Sequence, residues 1–510
     1  MSQIKRGYLR SPINIIFLAA YPTLSLLAFN IDQIFPRDVI RSLVFSIIAA
    51  TTILILLRLL TRSWQSAAVF TSLFLIWFFA YGRLYAPIKS TSIDGIVIGR
   101  HRFLLPLWTI IISALAVWLQ KYPKTIPVLN SGLVTFSSVL ICLPLIQLLA
   151  FHYMSSKTPV SVQPTSTSIE WSEDAIPPDI YYIVLDGYTR SDVLAEQYGF
   201  DNSGFLDSLE ESGFEIADCA ISNYTRTRHS LTSTFNIEYI QSLVSSEDIS
   251  RTETSLISLL KDNFVRARLE SLGYKTIAFK HPWERFVWDD ADILYQSSGS
   301  GLMNPFEDLL LRTTVVRVYL DLQQSETLQL SDQINYVDTL YALEQLPKIP
   351  SVNGPKFVFA HLIIPHPPFV FGPEGERIHI PYDADAGNIY TEENYRRGYV
   401  AAVKYINTRM LEILPEIIQS SNTEPIIIVA GDHGSPWGGN VNAVKIIAAF
   451  FTPGQSSLFY ENITPVNVFR IIFNSYFNGE FSLLPDQSYI SGKREFTEVE
   501  HDEGNCRVEQ

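Results

Sequence analysis

Aspartate and histidine side chains follow short apolar runs in the second half of the sequence. Residues 424–432 (EPIIIVAGD) end in Asp432, which His433 follows at once. An earlier run, residues 179–186 (DIYYIVLD), ends in Asp186. Carboxylate oxygen and imidazole nitrogen are ligands that suit Zn²⁺ or Mn²⁺. The pattern predicts a divalent metal site if the fold brings these residues together.

Two further histidines belong to a third run. Residues 356–364 (KFVFAHLII) contain His361, and His366 follows shortly after in a proline-rich turn. Each motif alone is weak, because an Asp-Gly pair after a strand is more often a turn and a single histidine is often core or surface. These motifs together with a candidate nucleophile indicate an active site more strongly than any one of them.

Candidate nucleophiles lie in residues 222–233 (SNYTRTRHSLTS), a hydroxyl-rich stretch ahead of a predicted helix. A plain interpretation is a helix cap, since Ser and Thr are preferred there. A functional interpretation uses the same geometry, because a threonine oxygen at a helix amino terminus lies in a positive field and can bind a metal. Both interpretations stay open at this point.

The elements that must position these residues follow an α/β pattern. Short apolar runs alternate with longer amphipathic stretches, which is typical of a mostly parallel sheet covered on both faces. The strand candidates are residues 179–186, 275–280, 356–364, 424–432 and 445–451. Chemistry in such sheets collects beyond the carboxyl ends of the strands. The candidate residues follow three of these ends.

The first part of the chain is different, because it holds five long apolar stretches. They cover roughly residues 12–30, 39–61, 66–85, 103–120 and 129–151. Each is close to the ~20 residues that a helix needs to cross a bilayer, and none has the polar face of a helix buried in a soluble bundle. We expect a multi-span α-helical membrane domain over residues 1–154.

Charge separates the two parts further. Residues 1–157 carry 14 of the 38 basic residues but only 3 of the 52 acidic ones, which leaves the remainder strongly acidic. An acidic domain argues against nucleic acid as a partner. Basic residues divide evenly between alternate loops, so the positive-inside rule fixes no orientation.

Domain boundaries follow from composition. Residues 155–178 are rich in Ser, Thr and Pro and predict a linker, residues 179–492 a catalytic domain, and residues 493–510 a polar tail. The three cysteines, Cys142, Cys219 and Cys506, suggest no disulfide framework.

The order of motifs resembles the alkaline phosphatase and sulfatase superfamily, in particular its membrane-anchored branch of lipoteichoic acid synthases and phosphoethanolamine transferases. The resemblance rests on IVLDGY, SNYTRTRHSLTS, FAHLIIPHPPFVF and IIIVAGDHG, in that order, over roughly residues 179–455. It implies an α/β alkaline-phosphatase-like domain and an enzyme that faces outward from the membrane.

Carried over by residue, the resemblance makes Asp186, Asp432 and His433 ligands of one divalent ion, Mn²⁺ or Zn²⁺. A threonine would serve as nucleophile and fourth ligand. Thr227 fits sequences of the type SNYxxTxxSLxS, whereas Thr225 is favoured if Ser230-Leu231 is aligned with the Ser-Val of the transferases.

The resemblance also implies substrate contacts. His366 resembles a histidine that contacts the substrate or a second metal and takes part in catalysis. His361 is a similar candidate, and Arg228 lies in the nucleophile stretch. These three are the expected substrate-binding residues.

Three departures narrow the assignment. Cys219 is not part of a Cys-x-Pro-Ser-Arg signal, so we do not expect the formylglycine that true sulfatases use to hydrolyse sulfate esters. No histidine follows closely after Asp432-His433-Gly434, so a single metal is expected rather than two. The first ligand is Asp186 where the lipoteichoic acid and phosphoethanolamine enzymes have glutamate.

The resulting hypothesis is a membrane-bound transferase that moves a phospholipid headgroup, phosphoglycerol or phosphoethanolamine, to a glycan or lipid of the cell envelope through a phosphothreonine. The catalytic domain would be extracellular or periplasmic. One alternative is a hydrolase that uses water as acceptor. Another is a catalytically silent protein of envelope assembly, which would bind no metal.

Overall fold

The computed structural model describes residues 8–31, 34–93, 96–155, 169–171, 177–244, 249–297, 303–323, 330–382, 390–437, 439–492, 495–499 and 506. The chain forms two compact units. Unit 1 consists of residues 1–154 and 302–330, and unit 2 of residues 155–301 and 331–510. Most of the expected linker 155–178 and of the expected tail 493–510 lies outside the described residues.

Unit 1 begins with five apolar helices. They are α1 (Asn14–Phe29), α2 (Pro36–Thr61), α3 (Trp64–Ile88), α4 (His101–Lys121) and α5 (Ile126–Ser155). The short strands β1 (Ser92–Ile93) and β2 (Ile96–Val97) pair between α3 and α4. Four helical segments are long and apolar enough to span a membrane. Helix α1 has 16 residues, about 24 Å, and is shorter than a bilayer core of about 30 Å.

Unit 2 is built around one seven-stranded sheet. Its strands are β3 (Ile180–Leu185), β4 (Glu215–Ile216), β5 (Lys275–Phe279), β6 (Ile293–Tyr295), β7 (Lys356–Leu362), β8 (Ile426–Ala430) and β9 (Ala448–Phe451). The spatial order is β4-β9-β8-β3-β7-β5-β6. The five strands from β8 to β6 are parallel, and β9 and β4 complete one edge in antiparallel pairing. The expected mostly parallel sheet is confirmed.

Helices connect these strands and cover the sheet. Those of unit 2 are α6 (Ser191–Tyr198), α7 (Ser203–Glu211), α8 (Thr227–Asn236), α9 (Ile240–Leu243), α10 (Ile249–Lys261), α11 (Phe264–Ser271), α14 (Leu330–Gln345), α15 (Glu392–Ser420) and α16 (Pro465–Tyr476). The intervening α12 (Pro305–Arg312) and α13 (Arg317–Gln323) belong to unit 1.

The centre of the sheet is buried on both faces. Every residue of β3, β7 and β8 is buried, which explains why these strands are continuous apolar runs rather than alternating ones. Phe235 of α8 packs edge-on against Phe359 of β7 and against Trp288, with ring centroids 5.0 and 5.2 Å apart. This core fixes α8 against the strands that carry the candidate residues.

Helices α12 and α13 return the chain to unit 1, within the stretch that the sequence assigns to the catalytic domain. Asn304 and Glu307 form a capping box at the start of α12. Glu307 also accepts a hydrogen bond from Nε of Arg41 on α2, at 2.6 Å. In α13, Oδ2 of Asp321 lies 2.9 Å from Nε2 of His101, the first residue of α4. An ion pair and a histidine–carboxylate contact therefore hold this segment to the apolar helices of unit 1.

The carboxyl-terminal part of the chain is more structured than a polar tail. Strands β10 (Ser488–Ser491) and β11 (Phe496–Val499) form an antiparallel hairpin. Cys506 is buried and bonded to Cys219 in a disulfide. The expectation that the cysteines make no disulfide is wrong, because residues 287 positions apart in sequence meet only in the folded chain.

Candidate active site

Three neighbouring strands, β8, β3 and β7, deliver polar side chains to one edge of the sheet. Asp186 directly follows β3, and Asp432 follows β8 after a single glycine. His361 lies near the end of β7, and His366 comes four residues after that strand. Parallel strands end at the same edge, so residues distant in sequence become neighbours there.

Asp186 is at the centre of this cluster. Its Oδ2 lies 2.8 Å from Nε2 of His361, and its Oδ1 lies 3.7 Å from Nε2 of His433. The same His433 nitrogen is 3.5 Å from Oδ2 of Asp432. The amide of Gly187 donates to Oδ1 of Asp432 at 3.0 Å. Both carboxylates are buried, with exposures of 0% and 2%.

Each carboxylate keeps one oxygen without a hydrogen bond. Oδ1 of Asp186 and Oδ2 of Asp432 are buried and accept none from the described residues. A buried carboxylate oxygen without a hydrogen bond costs about 1–3 kcal/mol, and more if it is charged, unless a cation balances it. Two ligand groups converge there, Asp186 with His366 and His433, and Asp186 with His361 and Asp432, each with ligand atoms within 4.8 Å of one another. Oxygen and imidazole donors so arranged fit a divalent ion.

The electrostatics agree with a cation site. Burial raises the pKa of Asp186, but the nearby His366, His361 and His433 outweigh it and hold that pKa well below its usual value. Burial lowers the pKa of His433, yet the carboxylates of Asp432 and Asp186 outweigh it and raise that pKa. The carboxylate of Asp186 thus stays ionised in a buried place, which favours the binding of a divalent metal.

The glycines beside Asp432 allow neighbouring backbone to approach closely. Neither Gly431 nor Gly434 has a positive φ. A Cβ at Gly431 would lie 2.4 Å from the carbonyl oxygen of Tyr188, and one at Gly434 would lie 2.3 Å from that of Lys445. The close approach is by backbone of neighbouring loops rather than by a ligand, so these glycines let the loops pack around the site.

The two threonines lie in different surroundings. The hydroxyl of Thr225 accepts a hydrogen bond from the Ser491 amide at 3.0 Å, and its own amide donates to the carbonyl of Tyr489 at 3.3 Å. Thr225 is therefore tied to β10. Thr227 is the first residue of α8 and is buried. The residue at the cap position is Arg226, whose side chain makes no capping bond, so the plain helix-cap interpretation applies to neither threonine.

Arg228 is connected to the site through an aromatic ring. Its guanidinium lies over Phe286, 5.9 Å from the ring centroid, and that ring is 6.5 Å from the ring of His361. Next to it, His229 is buried, and burial together with Arg228 and Arg226 lowers its pKa to about 3. Neutral His229 packs edge-on against Phe496 of β11, at 5.2 Å.

Sequence reasoning missed His281, which comes two residues after β5. Its buried ring lies edge-on to that of His361, 4.7 Å away, and its Nε2 has no hydrogen-bond partner among the described residues. Trp283 follows His281 in the chain, and its ring packs edge-on against that of His366, with centroids 4.8 Å apart. The nearby Trp288 instead belongs to the hydrophobic core. The available signal was the sequence Lys280-His281 at the end of a predicted strand.

Comparison with known proteins gives a family. Residues 178–469, more than half of the chain, match the family model described as Sulfatase. No curated protein matched the sequence.

Among solved structures, the chain is similar to the periplasmic domain of EptC from Escherichia coli, with 13% identity over 64% of this chain and 94% of that chain and a TM-score of 0.42. It is also similar to the integral membrane lipooligosaccharide phosphoethanolamine transferase A from Neisseria meningitidis, with 12% identity over 86% of this chain and 88% of that chain and a TM-score of 0.39. An alkaline phosphatase superfamily protein from Vibrio parahaemolyticus matches at 13% identity over 69% and 82% of the two chains, with a TM-score of 0.41. On the strength of the family match, the chain belongs to the sulfatase family.

Proposed function

We propose that this protein is a membrane-bound phospho-group transferase that depends on one divalent metal ion. The observation that carries the proposal is a pair of buried carboxylate oxygens, on Asp186 and Asp432. They converge with imidazoles and have no hydrogen-bond partner among the described residues. Membership of the sulfatase family and the four long apolar helices of unit 1 support an enzyme that works beside a lipid substrate.

In this proposal Asp186, Asp432, His433 and Thr227 would hold the metal. A bound Zn²⁺ or Mn²⁺ supplies positive charge that polarises a phosphoryl oxygen and lowers the pKa of a coordinated hydroxyl. We prefer Thr227 to Thr225 because Thr227 fits the pattern SNYxxTxxSLxS, and the engagement of the Thr225 hydroxyl with β10 supports the same choice. The position of Thr227 at the amino terminus of α8 adds a favourable field for an anionic nucleophile.

The residues then have separate roles. The Thr227 hydroxyl loses its proton to solvent, and its oxygen bonds to phosphorus while the bond from phosphorus to the lipid glycerol oxygen breaks. Diacylglycerol leaves, and a phosphothreonine that carries the headgroup remains. His366 would give a proton to the leaving oxygen and take one from the acceptor hydroxyl that resolves the phosphothreonine. His361 would orient Asp186 through their 2.8 Å contact, and Arg228 would bind substrate.

The donor and acceptor are proposed by class. We propose a phospholipid carrying phosphoglycerol or phosphoethanolamine as donor and a glycan or lipid of the cell envelope as acceptor. We propose that unit 2 lies on the extracellular or periplasmic side, and the disulfide between Cys219 and Cys506 supports such an oxidising compartment.

The test is the mass of the peptide that carries Thr225 and Thr227. Detergent-purified protein with Mn²⁺ or Zn²⁺ is incubated with mixed phospholipids, and the peptide is analysed with and without an acceptor. The expected result is a headgroup adduct on Thr227 that disappears when the acceptor is added. An adduct resolved equally fast by water alone would favour the hydrolase. Absence of bound metal together with absence of adduct would favour the silent assembly protein.

A further inference from the structure

Unit 1 contains a cavity of about 580 Å³ between two membrane-spanning helices and α12. Residues of α2 line one wall, residues of α3 the second, and residues in and beside α12 the third. The lining consists of Arg41, Ser42, Phe45, Ser46, Ala49, Ala50, Ile53, Phe74, Leu75, Phe78, Phe79, Met303, Glu307, Leu310, Leu311 and Thr314.

The cavity is mostly apolar, with a charged pair of residues at its rim. The charged residues in its lining are Arg41 and Glu307, which are ion-paired with each other. The Arg41 side chain is 62% exposed, so this end is a rim rather than an interior. Phe45 and Phe74 are also exposed, at 72% and 39%, which opens the cavity to the surface of the helices. That surface belongs to segments that cross the bilayer.

These features select the occupant. Water needs several polar partners, and apart from the charged end the walls offer only the hydroxyls of Ser42, Ser46 and Thr314. The medium around α2 and α3 is hydrocarbon. A flexible apolar chain fits the walls, and the polar Arg41–Glu307 pair at the rim suits the level of a lipid headgroup. We propose that the cavity binds one acyl chain of a bilayer phospholipid, with the phosphate of that lipid near Arg41.

The affinity of the cavity for an acyl chain depends on packing. An acyl chain that moves from the bilayer into the cavity gains packing contacts but little hydrophobic free energy, since it leaves one apolar medium for another. Occupancy is therefore expected to depend on the shape of the cavity. A variant that fills the cavity should displace the lipid, whereas an equally large side chain on the outer face of the same helix should not.

The full-length protein is placed in bilayers of phosphatidylethanolamine and phosphatidylglycerol that contain a phospholipid with a photoreactive group in its acyl chain. Cross-linked peptides are mapped by mass spectrometry, without reference to activity. We expect labelling concentrated on residues 42–53, 74–79 and 303–314. Ala49→Trp should reduce that labelling by about tenfold, or about 1.4 kcal/mol, because the indole ring would occupy the space of the acyl chain. Ser46→Leu is a milder filling variant that should reduce it in the same direction.

The matched control is Ile48→Trp, since Ile48 is on α2, is 59% exposed and does not line the cavity. It should leave the labelling unchanged. Even labelling around all the spanning helices, or equal loss in Ala49→Trp and Ile48→Trp, would overturn the proposal. Cross-links joining α2 or α3 to a second protein chain would overturn it in favour of a protein occupant. None of these outcomes depends on the phosphothreonine, so failure here and failure of the proposed function are separate results.

Discussion

Each of the two units contains an aspartate–histidine pair with a similar contact distance, but the two pairs differ in their surroundings. In unit 1, Nε2 of His101 is 2.9 Å from Asp321, while its Nδ1 is 2.7 Å from the Tyr81 hydroxyl. Arg317 donates to the same Asp321 oxygen at 3.1 Å. In unit 2, Nε2 of His361 is 2.8 Å from Asp186.

The remaining atoms of the second pair have no such partners. Oδ1 of Asp186 and Nδ1 of His361 are buried without a hydrogen bond in the described part of the chain. An acid–histidine contact by itself is thus no evidence for a metal. The evidence for a metal is the set of possible ligand atoms that have no hydrogen bond among the described residues. A second carboxylate, that of Asp432, belongs to the same cluster.

The largest expected effect separates the two pairs directly. Asp186→Asn should remove the bound metal and lower phospho-group transfer by at least about 10³-fold, because the metal contributes several kcal/mol to the transition state. Asp321→Asn, the matched change in unit 1, should leave the metal content intact and lower the thermal midpoint instead. Metal content by mass spectrometry and adduct formation measure both. Equal loss of metal in the two variants would remove the distinction.

The two threonines give the next comparison. Thr227→Ala should abolish the headgroup adduct, since no nucleophilic oxygen remains at the start of α8. Thr225→Ala should keep the adduct and cost about 1 kcal/mol of stability, because it removes one hydrogen bond to β10. Intact-mass analysis and thermal unfolding of both variants test this. An adduct that survives in Thr227→Ala and is lost in Thr225→Ala would reverse the assignment.

A smaller effect is expected for the histidine that contacts Asp186. His361→Gln should weaken metal affinity by about 10–100-fold, the usual consequence of losing a partner that orients a ligand. His101→Gln is the control and should not change the affinity. Competition with a chelator measures both affinities. Complete loss of metal in His361→Gln would make His361 a ligand itself.

The smallest expected effect concerns acid. Burial raises the pKa of Asp321, but hydrogen bonds from His101 and Arg317 outweigh it, and the pKa is lowered. A lowered pKa in the folded state gives stability that is present above the usual pKa of about 3.9 and is lost as pH falls through the folded value. The amides of α13 should therefore lose protection from hydrogen exchange, corrected for intrinsic rates, as the pH falls from about 3.9 through the folded pKa of Asp321. Asp321→Asn should remove the pH dependence, and an unchanged profile would contradict this explanation.

Much of the site was predictable because it depends on local patterns. The apolar runs that become β3, β7 and β8 end in the carboxylates and imidazoles that the structure brings together, and composition alone indicates the spanning helices. Period and length encode such features within a single segment. That Asp186, Asp432 and His433 converge was expected from the family resemblance and from the rule that parallel strands end at one edge.

Other features were decided only by tertiary structure. The disulfide of Cys219 with Cys506, the contact of Thr225 with β10 and the return of α12 to unit 1 all join segments far apart in sequence. His281 could be noticed as a residue after a strand, but its place beside His361 depends on β5 lying next to β7. A linear pattern carries the chemistry of each residue and the type of its element, whereas strand order and long-range contacts arise from packing the whole chain at once.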